Sequence, residues 1–266
     1  MDYSDILDRH ERIVLQFSGG KDSLATLFLM EPWWGRMVVA WCNTGAAFPE
    51  TQAIMNHVRR LVPNFHEVRP VLSQPDSIRL HGYPVDLIPT KCMSPLEELA
   101  GGFDGPRVQH FLHCCNRLIF KPMLEFVTEY QATLVIRGQR RDEPLTAPIQ
   151  SGDVVDGVEY LLPIEDWTAE QVLAYLIDRG VPIPEYYSYT PRSLDCWSCT
   201  AYLDETPGLP RYMREHHPEK WTVVERRLLE IDAAISREKA HLDKALGRSP
   251  SALLVPSEHD ADPATS

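Results

Sequence analysis

A chain of 266 residues with 44% hydrophobic composition can build one sizeable α/β domain, or one domain with a smaller appendage. Its formal charge of −12 repels polyanions at long range, which argues against a protein that grips nucleic acid unaided. No run reaches membrane-spanning length, and Met1 to Ile6 has neither a basic n-region nor an apolar h-region, so a soluble, cytoplasmic protein is expected.

Residues 3–10 read as a short helix leading into a buried strand, Ile13 to Phe17. Ser18-Gly19-Gly20-Lys21-Asp22-Ser23 follows at once, and then the helix-like segment Leu24 to Met30. Strand, glycine loop and helix form an anion cradle: glycines let backbone N–H groups approach the anion, and the helix N-terminus adds partial positive charge. Ser18 and Ser23 offer hydroxyls and Lys21 a point charge. The Walker-A spacing is absent. The string instead resembles the PP-loop of the adenine nucleotide α-hydrolase group, which implies binding of a pyrophosphate or phosphosulfate.

Met37 to Cys42 reads as a second strand, running into Asn43-Thr44-Gly45 and a helix that Pro49 can open. Ile54, Val58, Leu61 and Val62 fall on one face of that helix, which leaves Arg59 and Arg60 on the solvated side. From Pro70 to about Pro106 periodicity fades into Pro- and Gly-rich sequence, read as a lid, a binding loop or a plain insertion. Cys42 and Cys92 are assigned as small buried side chains.

Leu118 to Tyr130 has helical spacing, and Ala132 to Ile136 is another buried strand ending in Arg137-Gly138-Gln139-Arg140-Arg141-Asp142-Glu143. Guanidiniums at a strand end suit phosphate or ribose recognition, with ion pairing to Asp142 and Glu143 as the alternative. Leu161 to Ile164 reads as an edge strand, and Asp166 or Thr168 as the cap of the helix Ala169 to Arg179, which Gly180 stops. Trp221, Val224, Leu228, Ile231 and Ile235 mark a long amphipathic helix whose apolar face is core or a dimer seam; a homodimer is compatible with it.

Alternating strands and helices predict an α/β fold: a doubly wound, mostly parallel sheet flanked by helices, with a helical C-terminal extension. The expected divisions are 1–203 for the nucleotide-binding domain, 204–247 for the extension and 248–266 for a disordered tail. Ligand should sit at the C-terminal ends of the strands, which brings Ser18 to Ser23 and Asn43-Thr44-Gly45 to one crevice.

Six cysteines in a chain of this type point to metal or redox chemistry. Cys114-Cys115 and Cys196-Trp197-Ser198-Cys199 could supply four thiolates to one centre. Adjacent cysteines suit the separate irons of a cubane better than one small tetrahedral ion; a zinc site and a Cys-x-x-Cys redox pair stay open.

The PP-loop, the loop Asn43-Thr44-Gly45 with Phe48-Pro49-Glu50-Thr51, and Cys-Cys followed 80 residues later by Cys-x-x-Cys-Thr together resemble the phosphoadenylyl-sulfate reductase family over residues 12–203. The pattern is similar to its adenylyl-sulfate reductase branch, which implies a [4Fe-4S] cluster on Cys114, Cys115, Cys196 and Cys199. The resemblance further implies ATP or adenylyl sulfate as ligand, held by Ser18, Gly19, Gly20, Lys21, Asp22, Ser23, Asn43, Thr44, Gly45, Arg137, Gly138 and Arg140, with Mg2+ sharing the phosphate charge. Three departures stand out. No cysteine follows Cys199, where the reductases carry a nucleophilic tail cysteine; Leu118 and Ile119 stand where a basic pair would be; Asn43 replaces the aspartate of an Asp-Thr-Gly loop.

These departures rank a thiolation or phosphorothioation type of sulfur transfer above reduction of a sulfonucleotide to sulfite. The acceptor would be a nucleotide or a nucleic acid reached through a partner protein. A non-catalytic nucleotide-binding accessory subunit is the third reading.

Overall fold

The computed structural model describes residues 3–85, 106–143 and 147–248. A short helix α1 (Ser4–Leu7) leads into β1 (Ile13–Gln16), whose Ile13, Val14 and Leu15 are fully buried. A strand apolar on both faces must be covered on both, and the chain supplies helices for each side. Ile13 and Leu15 pack with residues of α2 (Lys21–Leu29), α3 (Pro49–Leu61) and α7 (Ala169–Asp178). Val14 faces the other way, onto Met123 and Val127 of α6 (Lys121–Glu129). Each such aliphatic side chain contributes roughly 1.5–3 kcal/mol on burial.

β1 lies between β2 (Met37–Cys42) and β6 (Leu134–Arg137), parallel to both. The sheet order is β3-β2-β1-β6-β8-β7, with β3 at Phe65–Val68, β7 at Val154–Val155 and β8 at Val158–Leu161. The chain winds outward from β1 through β2 to β3 and then returns to pair β6 on the opposite side. The order therefore reverses between β1 and β6, and the crevice beyond their C-terminal ends is the ligand position of such sheets.

The doubly wound parallel architecture is as expected, and several details sharpen or correct it. The expected edge strand at Leu161 to Ile164 is instead β8, ending at Leu161, and the edge is β7, joined to it antiparallel through Asp156-Gly157. Both turn residues have positive φ, +50° and +81°, the geometry of a two-residue hairpin. Thr168, not Asp166, caps α7 through a reciprocal pair with Gln171, and Gly180 at φ +67° ends the segment. The stretch from Pro70 contains α4 (Gln74–His81) and β4 (Tyr83–Val85), which pairs in parallel with β5 (Val108–His110); residues 86–105, with Cys92, lie outside the described residues.

The helix expected from Leu118 is entered from α5 (Phe111–Cys115) through a π-helical turn, Asn116–Phe120. The C-terminal segment forms α8 (Leu209–His216), which the sequence reading did not register, and α9 (Pro218–Ala245). Trp221 and Val224 of α9 pack with Phe48, Tyr186 and Leu194, and Ile231 packs with Val85 and Val108. The apolar face of α9 is thus core. The proposed tail from residue 249 on lies outside the described residues. Among the described residues no helix is long and apolar enough to cross a membrane.

Candidate functional site

The glycine loop begins where β1 ends. Gly19 adopts φ +86°, and a Cβ there would sit 2.8 Å from Met55 Cε, so both conformation and space call for glycine. Serine hydroxyls close the loop internally. Gly19 N–H donates to Ser23 Oγ at 3.1 Å, Gly20 N–H to Ser18 Oγ at 3.4 Å, and Ser23 Oγ donates to Gly20 O at 2.9 Å. The first amide of α2, Lys21 N–H, donates to the Tyr187 hydroxyl at 2.7 Å. A Cβ on Gly20 would meet Ser193 Cβ at 2.8 Å. The segment from Tyr187 to Ser193 therefore lies directly on the loop.

Asp22 organises the charges around it. Its carboxylate takes Lys21 Nζ at 2.7 Å and Arg140 Nε at 2.6 Å, and both cations are nearly enclosed. Arg140 also pairs with Asp142; burial works against its charge, but the two carboxylates outweigh that and raise its pKa. Arg140 thus makes the ion pair with Asp142 that the sequence allowed, and Arg141 turns to Glu165 and Asp166. Gly138 lets the end of β6 approach α2: a Cβ there would lie 2.7 Å from Asp22 O and 2.8 Å from Ser23 N. Arg137 is pushed down by burial, opposed by Tyr160 and Glu143. Burial and then Asp22 raise Glu143, against Arg140, Lys21 and Arg192.

The loop after β2 faces the cysteines. Asn43 is engaged with its neighbours, donating through Nδ2 to Glu67 at 2.9 Å and accepting from Gly45 N–H at 3.0 Å. Thr44 Oγ1 contacts Cys196 Sγ at 3.2 Å. Ala47 and Cys196 form an isolated antiparallel bridge, with Trp197 N–H donating to Ala46 O at 3.0 Å. The loop after β2 is thereby joined to the second cysteine pair.

The Cys-x-x-Cys turn closes by Cys199 N–H to Cys196 O at 3.0 Å, and three elements pin it. Ser198 bonds to Gln74 of α4, Thr200 donates to Pro84 O in β4, and Arg227 of α9 donates to Ser198 O at 2.7 Å. Cys114 and Cys115 end α5, and Cys115 Sγ lies 3.6 Å from the Tyr202 hydroxyl. All four thiols are free. Burial raises all four; Cys199 and Cys114 add to it at Cys196 against the Thr44 hydrogen bond, Cys115 and Cys114 add to it at Cys199, and at Cys115 Asp195 adds to it against Tyr202. The two pairs are therefore within electrostatic reach. Four thiols within electrostatic reach of one another are a soft donor set of the kind that binds iron-sulfur centres or zinc. Among the described residues no three His, Cys, Asp or Glu side chains stand close enough to hold a single ion.

Burial raises the pKa of Asp195, opposed by Arg192. Three residues of this segment escaped the sequence reading: Tyr187, Arg192 and Ser193. Only Tyr186-Tyr187 carried a signal, as aromatics in a stretch from Val181 that reads as extended and that the structure instead closes with a 3-10 turn, Glu185–Ser188. A second hollow of about 620 Å³, lined by residues such as Asp8, His10, Arg36 and Asn64, opens at the start of β2, away from the glycine loop.

Residues 12–202 match the family model described as phosphoadenosine phosphosulfate reductase domain. A phosphoadenosine 5'-phosphosulfate reductase of Gloeobacter violaceus is 26% identical over 72% of this chain and 73% of its own length. An adenosine 5'-phosphosulfate reductase of Rhizobium tropici is 24% identical over 63% of the chain and 84% of its own length. A phosphoadenylyl-sulfate reductase from Candida auris, solved as a phosphate complex, superposes with a TM-score of 0.49 at 19% identity, covering 70% of this chain and 81% of that one.

Proposed function

Because the chain belongs to the phosphoadenosine phosphosulfate reductase family, we propose that it is an enzyme of sulfur metabolism that binds ATP or an adenylyl nucleotide beside a [4Fe-4S] cluster. Its reaction on this reading is sulfur transfer. The observation that supports it most is the contact of Thr44 with Cys196, which ties the loop after β2 to the second cysteine pair. The nucleotide phosphates would take the loop Ser18 to Ser23, with Arg137 and Arg140 alongside and a magnesium ion sharing their charge.

Cys114, Cys115, Cys196 and Cys199 would hold the cluster, which when bound supplies a site for binding sulfur or passing electrons. This chain's own residues do the rest. Asp22 fixes the Lys21 ammonium and the Arg140 guanidinium at the loop. An acceptor oxygen attacks the α-phosphorus of ATP and pyrophosphate leaves. A hydrosulfide-level donor then attacks the activated acceptor, and AMP departs with the original oxygen.

Reduction of a sulfonucleotide needs a further thiolate able to reach the sulfate sulfur. Cys42 is the one other cysteine among the described residues, and its thiol donates to Leu118 O at 3.0 Å. Burial pushes its pKa up to about 12, so the thiol is held in its unreactive form. Sulfur transfer therefore ranks first. Incubation with ATP and candidate acceptors should release pyrophosphate and AMP; conversion of adenylyl sulfate to sulfite with thioredoxin as reductant would reverse the ranking.

A further inference from the structure

Arg192 stands between the two halves of the site. Its neighbour Ser193 lies against Gly20, and four residues on is Cys196, tied to Thr44. Its guanidinium centre is 5.3 Å from the ring of Tyr202, whose hydroxyl is 3.6 Å from Cys115 Sγ. Its backbone neighbour thus lies on the glycine loop, and its guanidinium lies on the ring whose hydroxyl reaches Cys115.

Among the described residues Nη1 of Arg192 is buried and has no hydrogen-bond partner, whereas Arg140 is satisfied by Asp22 and Asp142. Glu143 and Asp195 act on Arg192 electrostatically, and neither forms an ion pair with it. Among the described residues no carboxylate lies within ion-pairing distance of Arg192. A guanidinium donor held from water without an acceptor is costly, and an aromatic face offsets part of that cost without satisfying the N–H groups. The planar fork of an arginine matches two oxygens of a tetrahedral oxyanion.

We propose that Arg192 is a specificity-determining residue that receives the tetrahedral oxyanion an adenine nucleotide carries beyond its adenylyl phosphate, holding it between the glycine loop and the thiols. The inference rests on the nucleotide reading above and deepens it. The oxyanion is a phosphate in ATP and a sulfate in adenylyl sulfate, and the same fork suits either.

The test is calorimetric titration of the full chain, purified anaerobically, with AMP, ATP and adenylyl sulfate, using wild type, Arg192→Met and Arg192→Lys. Arg192→Met should weaken ATP or adenylyl sulfate about tenfold or more and leave AMP within about twofold, because AMP lacks the outer oxyanion. Arg192→Lys keeps charge and loses the fork, so an intermediate loss with the same sparing of AMP is expected; it decides alone if the methionine variant does not fold. A loss confined to ATP identifies the phosphate, and one confined to adenylyl sulfate the sulfate. Equal losses for all three nucleotides, or none, overturn the inference while the nucleotide reading stands. A wild-type chain that binds no adenine nucleotide overturns both.

Discussion

The backbone amide of Lys21 donates to the hydroxyl of Tyr187, 166 residues downstream, at 2.7 Å. A phenol thereby satisfies the first N–H of α2, a donor that a helix leaves open and that anions commonly take. Removing the hydroxyl in Tyr187→Phe should cost about 1–3 kcal/mol without ligand, because the amide loses its acceptor. A bound phosphate would restore one. Thermal unfolding with and without magnesium and ATP should therefore show a lower melting temperature for the variant and a larger rise on adding nucleotide than in wild type; equal rises would remove the anion from this position.

Gly138 is where the end of β6 touches the start of α2. The Cβ of Gly138→Ala would lie 2.7 Å from Asp22 O and 2.8 Å from Ser23 N, both backbone atoms that cannot turn aside. The loop itself must shift, at about 1–3 kcal/mol. Nucleotide affinity should fall about tenfold or more by calorimetry. Gly35→Ala, with nothing within 4 Å of its Cβ, is the matched control and should bind as wild type.

Asp22 holds two cations that are themselves nearly buried. Asp22→Asn leaves both without a full counter-charge and should destabilise by about 3–5 kcal/mol in urea unfolding. Adding Arg140→Met to that variant should cost less than Arg140→Met does in wild type, since one uncompensated charge is removed with it. Additive losses would mean that the pair is not coupled.

Glu50 joins α3 to the C-terminal helices, accepting from Tyr212 Oη at 2.7 Å and lying 2.8 Å from His217 Nε2. Burial works to raise its pKa, but the Tyr212 hydrogen bond and His217 outweigh it, and the net shift is downward from 4.5. A carboxylate with a depressed folded pKa stabilises fully above its unfolded value and loses that contribution as pH falls through the folded one. Wild type should therefore lose stability more steeply than Glu50→Gln below about pH 4.5. Melting temperatures of the two proteins from pH 6 to pH 3 would check this, and parallel curves would contradict it.

Long apolar runs made the centre of the sheet legible in the sequence: Ile13 to Leu15 and Leu134 to Ile136 are buried on both faces, and Met37, Val39 and Ala40 are buried beside them. The β7–β8 hairpin was not legible by that route, because Val154 and Val155 are exposed and the pairing is two residues long. Its signal was the Asp156-Gly157 turn between valines. The glycine loop and the cysteine pairs announced themselves by residue type and spacing. Arg192 and Tyr187 could not, since their roles come from where a proline-punctuated segment lies on a loop far away in sequence. Asn43 shows the converse: its motif suggested ligand contact, and its side chain is engaged with Glu67 and Gly45.

Iron and acid-labile sulfide analysis of the anaerobically purified chain, beside Cys196→Ser, tests most directly whether the two cysteine pairs serve one centre next to the nucleotide crevice. The account predicts about four iron and four sulfide per wild-type chain, with a visible absorption band that the serine variant loses. One zinc per chain, or iron content unaffected by Cys196→Ser, would contradict it.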